Sequence, residues 1–159
     1  MVVKEESMGF EVFELSGLKF SVTYATLDYL LRLYEVGSPL AFELYRDLKV
    51  LLDRVVLSAI ISRPPRVAEY TLKALRGSTL AALGLALEYL FLAEDARRAC
   101  HHAYHAIRHL ARFKDLERNR SPDAYSASDS EVKACLDLES CEVFRCFRAL
   151  RRVKVGMVK

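Results

Sequence analysis

Glutamine is absent from this chain and Asn119 is its only asparagine, while sixteen arginines stand against eight lysines. Amides are thermolabile, so their depletion in a charged chain is the pattern of a hyperthermophile. That expectation bears on the four cysteines, because intracellular disulfides are rare in mesophiles but common in hyperthermophiles. Glycine is scarce as well, with six in the chain. There is no Gly-rich phosphate loop, no GxSxG and no HExxH, and the glycines are too few for a nucleotide-binding α/β design. Hydrolase and oxidoreductase readings fall away, and no cofactor is expected.

Long apolar runs are missing too. The longest, residues 79–93, is interrupted by Glu88 and falls short of the ~20 residues that cross a bilayer. It reads as a buried helix. Met1 to Ser7 carries Lys4, Glu5 and Glu6 with no apolar stretch behind a basic start, so no secretory signal is expected and the cytoplasm is the expected location.

What is present is enough apolar material, 52% of 159 residues, for one domain over residues 1–159 with a real core. The net charge of +3 conceals a split. Basic residues number 6 against 9 acidic in residues 1–60, 4 against 4 in 61–96, and 14 against 8 in 97–159. A C-terminal part at +6 suggests RNA, another polyanion or an acidic partner surface.

The patterning predicts a mainly all-α protein: a bundle of about five helices with one long central helix and a short N-terminal hairpin over residues 1–23. Phe10 to Thr23 alternates at period two around Ser16-Gly17, and such a hairpin must lean on helices to be stable. A helix over 26–35 ends at Gly37, and Ser38-Pro39 opens another that runs to about Ser62, where Pro64-Pro65 stops it. Pro65 can open a short helix reaching Arg76, with Gly77-Ser78 as the joint. From there to about residue 118 only Gly84 interrupts one helix, or two nearly collinear ones, roughly 60 Å long. Residues 121–130 form a solvated loop, and Ser128 with Glu131 makes a capping box for a last helix whose final turn carries Arg148, Arg151 and Arg152.

Within the long helix, Ala96, Ala99, Cys100, Ala103, Tyr104, Ile107, Leu110 and Ala111 follow the spacing of a buried stripe. Opposite them stand Arg97, Arg98, His101, His102, His105, Arg108, His109 and Arg112, which include every histidine of the chain. Three readings compete for this face. It is a solvated or oligomer-facing surface. Alternatively, Arg98, His101, His105, Arg108, His109 and Arg112 bind phosphates and stack on bases of a nucleic acid. A metal site is the third, since His101 with His105, or His105 with His109, lie one turn apart. No acid or clean cysteine pair completes a tetrahedral set, so no metal is expected. The cysteines form no CxxC pair; they read as small buried hydrophobes, with a bridge from Cys100 to Cys135 or Cys146 as the second reading.

The run Arg97-Arg98-Ala99-Cys100-His101-His102 resembles the RxxxxH element of HEPN-domain proteins, which are small helical bundles, often dimeric, many of them metal-independent RNases of toxin-antitoxin and defence systems. Residues 85–111, LALEYLFLAEDARRACHHAYHAIRHLA, are similar to the helix-rich core of the archaeal PaREP family, itself similar to HEPN domains. The resemblance covers about a sixth of the chain. It implies a homodimer and RNA association, and it would make Arg97 and His102 a catalytic pair of a metal-independent endoribonuclease, His102 in acid-base work and Arg97 offsetting phosphorane charge. The chain departs from the family in carrying Arg98 where a small polar residue is usual, and a non-enzymatic role is the stronger expectation. Two alternatives stay open. Residues 24–50 look like the first helices of a winged helix-turn-helix DNA-binding regulator. The protein can also be a dimeric interaction module that uses the exposed length of the long helix and catalyses nothing.

Overall fold

A computed structural model of the chain describes residues 2–3, 9–49, 56–126 and 128–137. Its elements in order are β1 (Val2–Val3), β2 (Gly9–Leu15), β3 (Leu18–Ala25), α1 (Leu27–Val36), α2 (Pro39–Asp47), α3 (Val56–Ile61), α4 (Glu69–Phe91), α5 (Ala96–Asn119), a 3-10 turn (Pro122–Ala124) and α6 (Asp129–Leu136). The protein is mainly α, with a long central helix and an N-terminal antiparallel hairpin, as its sequence predicts.

The hairpin pairs Leu15 with Leu18 and Phe13 with Phe20. Ser16 and Gly17 both take positive φ, 52° and 79°, the combination whose twist matches that of paired strands. β1 adds a parallel edge beside β3. The hairpin leans on the helices far less than expected. Ala25 at its end is buried, while Phe10, Val12, Phe13, Leu15, Leu18 and Phe20 are exposed, and Phe13 and Phe20 stack on each other at 5.4 Å.

α1 begins and ends where its caps dictate. Thr26 Oγ1 accepts the Tyr29 N–H at 3.1 Å, and Gly37 stops the helix at φ 67°. Gly37 has a second duty there. Its carbonyl accepts the Thr71 hydroxyl at 2.6 Å, and a Cβ in its place would run into the Arg66 carbonyl oxygen. α2 then stops at Asp47, so the helix expected to continue to Ser62 is divided, its last part being the separate α3.

The largest correction concerns the long helix. α4 passes unbroken through Gly77-Ser78, because one helix-interior glycine costs only ~1 kcal/mol and does not break a ladder already formed on both sides. The break falls instead at residues 92–95. There the Leu92 and Ala93 N–H groups both reach the Glu88 carbonyl, at 2.9 and 3.2 Å, the Asp95 N–H reaches that of Tyr89 at 2.8 Å, and Glu94 takes φ 51°. The Asp95 carboxylate then accepts the Arg98 N–H at 2.9 Å and starts α5. α4 and α5 therefore form an antiparallel hairpin. Leu72 and Leu75 from the start of α4 share a core with Leu116 from the end of α5, joined by Phe42 and Tyr125. Ala82, Ala86, Ala99 and Ala106 are buried, small residues that let two helices approach.

A second core joins Ala25, Leu30, Leu33, Tyr34, Ala41, Leu44 and Ile60 under β3, α1, α2 and α3. A third holds Tyr104, Ala111 and Val132 between α5 and α6. The expected capping box of α6 is present, with the Ser128 N–H donating to Glu131 at 2.7 Å and the Glu131 N–H to Ser128 Oγ at 3.2 Å. α6 ends after two turns at Asp137, φ 54°; Arg148, Arg151 and Arg152 lie outside the described residues.

Candidate functional site

Histidines at 101, 105 and 109 recur every four residues, so α5 stacks them in one column along its side. The rings of His101 and His105 meet edge to face at 4.6 Å, and those of His105 and His109 lie 6.4 Å apart. His102, one position round the helix, stacks almost parallel on Tyr89 of α4 at 5.2 Å and 2°. Arg98 holds Asp95 at 3.3 Å and lies over the same tyrosine, 5.4 Å from its centroid. All four histidines are half-buried, whereas Arg97 and Arg98 are exposed. Among the described residues no group of three or more His, Cys, Asp or Glu side chains is arranged to hold a metal.

Two of the arginines expected to meet phosphates are engaged within the chain. Arg112 is only 6% exposed. Its Nε donates to the Ser126 carbonyl at 3.1 Å, its Nη1 to Glu43 Oε1 at 2.8 Å, and its guanidinium lies 4.7 Å from the centroid of the Tyr125 ring. Arg108 donates to the Tyr104 hydroxyl at 3.1 Å and faces Asp129 at 3.9 Å, while that hydroxyl donates to the Asp129 carboxylate. Burial and the bond to Asp129 hold the Tyr104 hydroxyl above the ordinary phenol range. The Tyr125 hydroxyl is pushed further up, mainly by burial.

Arg46 of α2 completes the seam, with the Asp123 carbonyl at 2.6 Å and Glu131 at 2.7 Å. Next to this seam His109 is held below its usual value, first by burial and then by the charge of Arg112. The C-terminal part of the basic face, Arg108 and Arg112, is thus held by Asp129 of α6, the Ser126 carbonyl and Glu43 of α2, while Arg97 and Arg98 stay exposed.

α5 does not by itself bring Arg97 and His102 together. Five residues turn an α-helix by about 140°, and His102 is directed at Tyr89 while Arg97 stands exposed. Cys100 and Cys135 are half-buried thiols that are not joined to each other. The Cys135 thiol donates to the Ala111 carbonyl at 3.5 Å, and burial with Asp115 nearby pushes its pKa up to about 11. Cys146 lies outside the described residues.

Among the described residues α4, like the β2–β3 hairpin, leaves a large apolar surface open. Sequence reasoning places its apolar half in the core, yet Leu80 (60%), Leu83, Leu87, Leu90 and Phe91 (71%) are exposed. α5 covers one side of α4, and that side carries its small residues Ala82 and Ala86. No helix among the described residues is long and apolar enough to cross a membrane. The readable signal was the spacing 80, 83, 87, 90, which is a heptad seam. Comparison with protein-family profiles, with curated proteins and with solved structures finds no match for this chain.

Proposed function

We propose that this chain is a non-enzymatic interaction module that works as a dimer through the outward face of α4. One observation carries the reading: Leu80, Leu83, Leu87, Leu90 and Phe91 form a continuous exposed strip, and a contiguous apolar patch of that kind on a folded chain marks an interaction surface. Sedimentation equilibrium tests it, together with thermal midpoints measured over a hundredfold range of protein concentration. The expected result is a dimer whose midpoint rises with concentration, and a monomer of unchanged helix content for Leu83→Glu/Leu87→Glu. Wild type that stays monomeric throughout removes the reading.

A second reading, RNA association with Arg97 and His102 as a HEPN-like pair, is favoured by the exposure of Arg97 and by the fixed stacking of His102 on Tyr89. It draws less support, because Arg108 and Arg112 are committed to Asp129 and Glu43. RNA cleavage in EDTA that is unchanged by His102→Ala would sink the catalytic pair. The winged helix-turn-helix reading ranks below both: α2 buries Phe42 and Leu44 and is tied down through Arg46 and Glu43.

A further inference from the structure

We draw no further inference here: the strongest candidate, the apolar face of the β2–β3 hairpin with Phe13, Leu15, Leu18 and Phe20 exposed beside the β2 edge of the sheet, is an unpartnered sheet face, and nothing in the structure shows what covers it.

Discussion

Replacing Arg112 by methionine separates a buried structural cation from a nucleic-acid ligand. Methionine keeps much of the length and apolar volume while removing every donor. The Ser126 carbonyl then loses its donor at 3.1 Å, and Glu43 Oε1 loses the one at 2.8 Å while keeping the Tyr125 hydroxyl at 3.4 Å. Ser126 is buried, so its carbonyl carries the desolvation cost of an unmet acceptor, about 1–3 kcal/mol. Breaking a fully buried ion pair costs about 3–5 kcal/mol, but the Glu43 side chain is 42% exposed and its carboxylate can rehydrate, so only a fraction of that applies. Contact of the guanidinium with the Tyr125 ring, 4.7 Å from its centroid, adds about 0.5–1 kcal/mol. The sum is about 3 kcal/mol. Urea unfolding followed by circular dichroism should show the midpoint falling by about 1.5 M at an m-value near 2 kcal/mol/M, with m unchanged. Arg112→Lys should recover only part of the loss, since one ammonium cannot serve both acceptors in the fork geometry. A loss under about 0.5 kcal/mol for Arg112→Met would refute the assignment of Arg112 to the core and return it to the surface.

Two further outcomes follow from the same accounting of buried groups. Gly37→Ala must place a Cβ at φ 67° against the Arg66 carbonyl oxygen and within 2.6 Å of Thr71 Oγ1; an expected loss of about 2–4 kcal/mol is read from the urea midpoint, and a neutral substitution would contradict the described packing of α1 against α4. His109 predicts acid sensitivity: its pKa is lowered from 6.5 in the folded chain, so the folded state binds fewer protons than the unfolded one. Its contribution to stability is complete above about pH 6.5 and declines as pH falls through the depressed folded value. Unfolding midpoints between pH 7 and 5 should fall less steeply for His109→Gln than for wild type.

Features governed by neighbours in the chain were legible in the sequence, and features governed by distant residues were not. The hairpin follows from alternation and from a Ser-Gly turn in which both residues can take positive φ. Thr26, Gly37 and the Ser128–Glu131 box set helix ends through contacts within four residues. The reversal at 92–95 uses no glycine or proline; it depends on Glu94 in the left-handed region and on Asp95 as a cap. Neither was read in the sequence, where the expected helix runs straight through these residues. Arg112 was placed on a polar face by its spacing, opposite the buried stripe, yet it is itself buried. Whether such a face meets water depends on Glu43, 69 residues away, which no local pattern contains.

The misreading of α4 has a different cause and leads further. A helix that is apolar nearly all round is by default a buried one, and that rule assumes its surroundings belong to the same chain. Here α5 covers one side and leaves the heptad side open. The charge asymmetry along the chain survives its internal ion pairs, since Glu43 pairs with Arg112 while Arg46 pairs with Glu131 in the opposite sense. What changes is which cations are engaged, because Arg108 and Arg112 already hold Asp129 and Glu43. The apolar strip has no such internal compensation. Burying it stabilises an assembly by ~25 cal/mol per Å² before the cost of association. On that ground the proposed interaction surface is the outward leucines of α4 more than the arginines of α5.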